Sequence, residues 1–192
     1  MSELVDRFER AHRHFGSLVH RVPADRWGAP TPCADWDVRA LVNHLVYEAR
    51  WAVPLLEGAT IADVGDRFDG DLLGDDPVGS YDDALAAASA AVSSPGALDR
   101  TVHLSYGETP ATGYLAQLTG DFVVHAWDLA RGIGADDELD ADLVAWVDAE
   151  TRPNAEMLAQ SGLFDPPVDV APDADPQTRM LALFGRRRTV AT

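Results

Sequence analysis

The sequence predicts an all-α protein, a bundle of helices joined by loops. Apolar residues recur every three or four positions along several long segments, which is the period of a helix with one buried face. Proline- and glycine-rich stretches separate these segments. Only residues 101–106 alternate in the manner of a short extended piece. We expect a single domain over residues 1–192, because 46% hydrophobic content is enough to bury a sizeable core.

The first predicted helix spans residues 3–20, and Ser2 is its expected N-terminal cap. Residues 22–37 form a connection, because its prolines remove backbone donors and restrict the residues before them. Within it, Trp27 and Trp36 are expected to anchor the connection against one end of the bundle. The connection should therefore hold the first two helices in place.

The middle of the chain predicts two helices around a long acidic loop. The second helix covers residues 37–56, with an aspartate as its cap. Residues 58–79 carry many aspartates and little periodicity, so we expect a solvated, flexible loop. Ser80 then offers a cap for the third helix, which ends where Pro95 and Gly96 interrupt the pattern.

The fourth predicted helix begins at residues 109–112 and extends to Arg131, where Gly132 and Gly134 should stop it. The fifth lies within residues 140–161, with a break or kink at Pro153. A final helix follows the cap and first-turn pair of Asp175 and the next proline.

The fourth helix also carries the strongest candidate for a functional site. Asp121, His125 and Asp128 stand at i, i+4 and i+7, so they project from neighbouring points of one helical stripe. His44 and Glu48 lie on or beside the apolar stripe of the second helix. If these helices are neighbours, His44, Asp121 and His125 converge. Two imidazoles and one carboxylate, with a fourth position left to water, form a catalytic zinc set that also suits nickel or iron.

Other readings of these residues stay open. A core histidine with an ordinary hydrogen bond, or a surface acid–histidine pair, gives the same short spacing. Asp128 is expected to orient a ligand histidine or to pair with an arginine, and Glu48 is a neighbour of the site. Trp127 either packs between helices or shapes a pocket wall. His103 and Tyr106 are candidates for substrate contact, although His103 could simply be exposed.

Three segments carry a resemblance to a known family. They are residues 31–45 (TPCADWDVRALVNHL), residues 121–132 (DFVVHAWDLARG) and residues 164–187 (FDPPVDVAPDADPQTRMLALFGRR). They resemble the mycothiol-dependent maleylpyruvate isomerase N-terminal-domain group, a branch of the DinB-like metal-binding four-helix bundles found largely in actinobacteria. The resemblance implies a DinB-like four-helix bundle with additional short helices and the long acidic loop.

The resemblance also implies a ligand set and an activity. A histidine of the second helix and an acid-x-x-x-His pair hold a divalent metal in that group, which carries over to His44, Asp121 and His125. The isomerase is similar but has glutamate where this chain has Asp121. The implied function is a metal-dependent transferase or isomerase that joins a small-molecule thiol such as mycothiol to a small electrophilic substrate. A non-catalytic metal- or ligand-binding bundle and a plain helical scaffold are the alternatives.

Composition excludes several partner classes. Fifteen Lys and Arg against 32 Asp and Glu give a net charge of -17, which disfavours nucleic acid and anionic membranes. One cysteine, Cys33, excludes an internal disulfide and suits a reducing cytoplasm. The charged first ten residues do not resemble a signal peptide, and no apolar stretch reaches a membrane span of roughly 20 residues. We expect a cytoplasmic protein, and a homodimer stays open.

Overall fold

The computed structural model of the protein describes residues 2–162 and 164–188. The backbone clusters into two compact units, Met1–Ala135 and Asp136–Thr192. The described helices are α1 (Glu3–Val19), α2 (Val38–Glu57), α3 (Ile61–Val64), α4 (Pro77–Val92), α5 (Ala111–Ile133), α6 (Ala141–Thr151), α7 (Ala155–Ser161) and α8 (Pro176–Leu183). None of the described helices has the length and apolar character needed to cross a membrane.

The first unit is a four-helix bundle, which confirms the predicted all-α fold. Helix α1 packs mainly on α5 and α2 mainly on α4, while contacts of α2 with α5 and of α1 with α4 close the ring. At its centre, the Phe122 ring meets those of Phe8 and Phe15 edge-on, with centroids 6.0 and 5.9 Å away. Each such fully buried side chain stabilises the fold by roughly 1.5–3 kcal/mol.

The first two helices begin where the sequence predicts. The Ser2 side chain accepts a hydrogen bond from the Val5 amide, and the Asp37 side chain accepts one from the Ala40 amide. Both contacts satisfy amides that the first turn of a helix leaves without an intrahelical partner. The start of α2 is therefore fixed by Asp37, which places His44 in its second turn.

The acidic loop is largely exposed, as the sequence predicts, but it contains more structure than the sequence indicates. It contains the short helix α3, and its later part is bonded to α2. The Asn43 amide donates to the Gly70 carbonyl (3.1 Å) and accepts from the Leu72 amide (2.7 Å). Arg39 pairs with the Asp71 carboxylate at 2.9 Å. The loop is thus attached to α2 beside His44, by contacts between residues distant in sequence.

Helix α4 begins earlier than predicted. Its first residue is Pro77, and Asp76 caps it by accepting a hydrogen bond from the Gly79 amide at 3.0 Å. Ser80 lies inside the helix and is not its cap. Its hydroxyl instead donates to the Leu73 carbonyl at 3.0 Å. Proline in a first turn loses nothing, since its missing donor would have no partner there.

A hairpin precedes α5. Strand β1 (Thr101–Leu104) pairs antiparallel with β2 (Gly107–Pro110), so the predicted extended piece has a partner strand. Helix α5 then continues past Gly132, where the sequence predicted a stop. A Cβ at this position would lie 3.0 Å from Val38 Cγ2, at the start of α2. The glycine therefore lets α2 approach α5 closely. Gly134, with φ +73°, ends the helix in the left-handed conformation.

The second unit contains α6, α7 and α8. Pro153 lies in a 3-10 turn, Arg152–Asn154, that separates α6 from α7 at the predicted break. Asp175 caps α8 by accepting from the Thr178 amide at 3.0 Å. Helices α6 and α8 pack together. The single-domain expectation stays a prediction.

Candidate metal centre

The two helices that the sequence singled out meet in the first unit. His44 on α2 and His125 on α5 both point their Nε2 atoms at the Asp121 carboxylate. Nε2 of His44 lies 2.9 Å from Asp121 Oδ2, and Nε2 of His125 lies 3.2 Å from Asp121 Oδ1. One ligand atom from each residue lies within 4.8 Å of the others, so the three form a group that could hold a metal ion. We call it the triad.

The triad lies at the edge of the bundle core. The His125 side chain is 2% exposed, whereas those of His44 and Asp121 are 22% and 17% exposed. Leu118, Phe122 and Leu129 bury the adjoining face of α5, which carries His125 inward with it. One side of the triad is therefore enclosed by the core and the other is partly exposed to solvent.

Asp128 holds the buried histidine from behind. Its side chain is fully buried, and its Oδ2 lies 2.9 Å from His125 Nδ1. This contact assigns a proton to Nδ1 and leaves Nε2 as the ring nitrogen that faces Asp121. A carboxylate behind a histidine is the usual outer partner of a metal-ligating imidazole. The orienting role of Asp128 toward a metal ligand stays a prediction.

Without a metal, the triad is a buried ion-pair network. Burial lowers the pKa of His125, but the charges of Asp121 and Asp128 and their hydrogen bonds outweigh it and raise that pKa to about 9. Burial favours the neutral acid of Asp121, yet His125 and His44 hold its pKa well below the usual range. In the metal-free protein a proton on His125 thus supplies positive charge next to the Asp121 carboxylate.

Trp36 is a site residue that sequence reasoning missed. Its ring stacks on that of His44, with centroids 4.4 Å apart and planes at 30°, and lies 5.5 Å from the His125 ring. Thr31 helps to hold the turn, because its hydroxyl donates to the Trp36 carbonyl at 2.7 Å. Trp36 stands one residue before the cap of α2, and this position is the sequence signal for a contact with that helix. The sequence analysis predicted only that Trp36 anchors the connection at the bundle end.

Glu48 and Tyr114 lie on the two helices that carry the triad, Glu48 on α2 and Tyr114 on α5. Glu48 is one helical turn beyond His44 on α2, and burial together with the Asp121 charge raises its pKa to about 7. Tyr114 is 6% exposed, and its buried hydroxyl has no hydrogen-bond partner among the described residues. Sequence reasoning named Glu48 as a neighbour of the site but did not single out Tyr114.

Two further candidates lie apart from the triad. Trp127 is 1% exposed. It follows His125 by two residues, so it projects from the opposite side of α5. The Arg131 guanidinium lies 5.9 Å from the centre of its ring. His103 pairs across the hairpin with Glu108, 3.7 Å away, rather than with a residue of the triad.

His12 lies on α1 and is buried inside the bundle. Its Nε2 atom lies 3.1 Å from Glu9 Oε2 and 3.2 Å from Ser89 Oγ. Its ring also contacts those of Phe8 and Phe122. His12 is therefore held by Glu9, Ser89 and the core rings rather than by the triad.

Comparison with known proteins bears on the family to which the chain belongs. Residues 8–130 match the family model described as the mycothiol maleylpyruvate isomerase N-terminal domain. The chain is 33% identical over 139 residues to the uncharacterized proteins MT0763 and Rv0738 of Mycobacterium tuberculosis, strains CDC 1551 / Oshkosh and ATCC 25618 / H37Rv, covering 70% of this chain and 70% of each relative. No solved structure gives a significant match. With all three triad residues inside the matched region, the chain belongs to the mycothiol maleylpyruvate isomerase N-terminal-domain family.

Proposed function

We propose that His44, Asp121 and His125 hold a divalent metal ion, with zinc the best fit and nickel also suited. We further propose that the protein is a metal-dependent thiol transferase or isomerase. It would act with a small-molecule thiol, mycothiol or a relative, on a small electrophilic substrate. The observation that carries this proposal is the convergence of two imidazole Nε2 atoms and one carboxylate within 4.8 Å.

The donor set fits such an ion. Zinc is held by neutral imidazoles and carboxylates, and three protein ligands leave a fourth position for an exchangeable group. The bound ion would supply a Lewis acid that lowers the pKa of a thiol or water at that position. The family described for residues 8–130 carries a thiol, mycothiol, in its name, which supports a thiol as the exchangeable group.

The residues around the triad suit this task. Asp128 fixes the His125 ring so that Nε2 faces the site, and Trp36 covers one face of the His44 ring and excludes water there. The partly exposed edges of His44 and Asp121 leave room for a substrate to approach. These residues would hold and orient the reacting groups, and such positioning lowers the activation barrier of a reaction.

The arrangement favours an open catalytic site over a closed structural one. A closed site would need a fourth protein ligand, such as Glu48 or Asp128. Asp128 contacts Nδ1 of His125, the nitrogen on the far side of the ring from the triad. Glu48 is not part of the cluster of potential ligands found among residues 2–162 and 164–188. The non-catalytic alternative therefore has less support than the enzyme.

The experiment that tests this function is the metal content of protein purified without a metal-chelating tag. We expect about one zinc or nickel per chain for a three-ligand site. His125→Ala should lose the metal, while His20→Ala should keep it, because His20 is an exposed histidine paired with Asp82. Absence of metal from the unmodified chain after incubation with zinc and with nickel contradicts the proposal.

Thiol chemistry is then tested on the loaded protein. Transfer of mycothiol or a simpler thiol to an electrophile should require the metal and should disappear in His125→Ala. Full activity after the metal has been removed by a chelator would exclude the metal-dependent mechanism, even if the chain binds zinc.

A further inference from the structure

A cavity lies at one end of the first unit, between the start of α1 and the end of α4. Its volume is about 240 Å³, and it is lined by the first turn of α1, by the residues that end α4 and by a 3-10 turn, Ala97–Asp99. We call it the end cavity. An apolar cavity of about 150 Å³ is enough to hold benzene. The end cavity is therefore large enough for a small organic molecule.

The end cavity is separate from the triad. Arg100 follows the 3-10 turn, and its Nη1 donates to the Leu56 carbonyl at 2.6 Å, near the C-terminal end of α2. His44 lies in the second turn of the same helix. Leu56 and His44 are about three turns apart, which is roughly 18 Å at the rise of an α-helix. A small ligand in the end cavity would thus not touch the triad.

The inner wall of the end cavity is apolar. Val5, Val92 and Ala97 line it and are 5%, 3% and 1% exposed, so they face the bundle core. Ser2 and Ser93 are exposed and form part of its rim. An apolar wall with a small number of polar groups is the usual construction of a small-molecule site. The wall therefore favours a ligand with a hydrocarbon part.

The end cavity also offers hydrogen-bond acceptors. Asp99 is exposed, and none of the described residues bonds to its carboxylate or pairs with it. Helix carbonyls point toward the C-terminal end of the helix, so those of the last turn of α4 point toward the residues that line the cavity. The Ser89 and Ala91 carbonyls accept amide hydrogen bonds there, whereas the Val92 carbonyl accepts none from the described residues. A ligand with a hydrogen-bond donor would satisfy these acceptors.

The charges around the end cavity favour a cation. The C-terminal end of α4 is the negative end of its macrodipole, and the last turn of this helix contains no basic residue. Asp99 adds its carboxylate, and the neighbouring Arg100 is directed to the Leu56 carbonyl instead. The positive end of α1 also lies here, but its first turn carries Glu3 and Asp6. An ammonium group fits these surroundings better than a carboxylate does.

We propose that the end cavity binds a small primary amine. Its ammonium group donates hydrogen bonds to the Asp99 carboxylate and the Val92 carbonyl, and its hydrocarbon part lies against Val5 and Ala97. This binding requires neither a metal nor a thiol, so it goes beyond the proposed function and adds a second ligand site to the chain.

The test is a titration of the full chain with 2-phenylethylamine, followed through the NMR signals of the backbone amides. We expect the amides of Ser93, Gly96 and Leu98 to shift in a saturable way, and those of His44 and Asp121 to stay unchanged. A molecule of this size should bind with a dissociation constant of about 10 mM or lower. Phenylacetate and 2-phenylethanol keep the ring without the positive charge, and should bind at least about threefold more weakly.

Two variants test the contact with the ammonium group. Asp99→Asn keeps the shape but removes the charge, and should weaken the binding of 2-phenylethylamine about three- to tenfold, as expected for a partly exposed charged hydrogen bond. Asp25→Asn is the matched control, because Asp25 is also exposed but lies in the connection before α2, at the other end of that helix. It changes the net charge equally and should leave the affinity unchanged. Melting temperatures verify that both variants are folded.

Three results would overturn the inference. Absence of saturable shifts at the end cavity, or shifts confined to the amides of the triad, would show that the amine does not bind there. Equal affinity for phenylacetate or 2-phenylethanol would refute the amine as the ligand class. Unchanged affinity in Asp99→Asn would refute the ammonium contact. None of these results depends on whether the triad holds a metal, so the two proposals fail separately.

Discussion

Replacement of Asp128 by asparagine tests how the site is built. Asp128 is fully buried, and its Oδ2 lies 2.9 Å from Nδ1 of His125. The Asp128→Asn variant would keep the shape and a hydrogen-bond acceptor but remove the negative charge behind the ligand ring. Loss of such an outer partner lowers metal affinity by about 10–100-fold, which corresponds to about 1.4–2.7 kcal/mol of binding free energy.

The assay is competition for zinc against a chromophoric chelator at about pH 7.5, with the dissociation constant compared between variants. Asp82→Asn is the matched control, because Asp82 lies 3.0 Å from Nε2 of His20 but both side chains are about half exposed, at 51% and 52%. That variant should bind zinc as the unmodified chain does. Zinc affinity in Asp128→Asn within twofold of the unmodified chain, in a protein that is still folded by circular dichroism, would refute the orienting role.

Three further predictions concern pH, the aromatic cover and helix packing. In the metal-free protein, the pKa of His125 is raised to about 9, so protonated His125 stabilises the folded state. This stabilisation is complete below pH 6.5 and is lost as the pH rises through 9. Urea unfolding in a chelator should therefore lose about 3 kcal/mol between pH 6.5 and 9, and His125→Gln should show a much flatter profile. Trp36→Ala removes the ring stacked on His44, and zinc affinity in the same competition assay should fall by about 2–12-fold, since such pairs contribute about 0.5–1.5 kcal/mol; an unchanged affinity would show that the cover does not position the ligand. A Cβ at Gly120 meets no atom within 4 Å, so Gly120→Ala should raise the free energy of urea unfolding by up to about 1 kcal/mol. A Cβ at Gly132 meets a side chain at 3.0 Å, so Gly132→Ala should lower that free energy by about 1 kcal/mol. Equal shifts in the two variants would contradict the packing argument.

Local patterns in the sequence predicted the helices and the pairing of Asp121 with His125. Helical periodicity depends on residues within a few turns, and His125 follows Asp121 by one turn of a helix that forms as predicted. The approach of His44 needed one assumption, that α2 and α5 are neighbours. The structure confirms that contact between the two helices.

Features that depend on distant contacts escaped prediction. Trp36 reaches His44 and His125 only because the connection folds back over the helix ends. Glycine often ends a helix, but the role of Gly132 comes from the Val38 side chain of another helix, which packs against it. The acidic loop has the composition of a solvated segment, and its attachment depends on Asn43, whose two hydrogen bonds link residues far apart in the chain.

The triad joins two helices that lie far apart in the sequence. Its three side chains meet through their own hydrogen bonds, on α2 and α5 and beside the core around Phe122. The buried His125 ion pair therefore stabilises the fold as well as forming part of the potential ligand set. A descendant of this chain that exchanged His125 would have to replace a stabilising contact as well as a ligand.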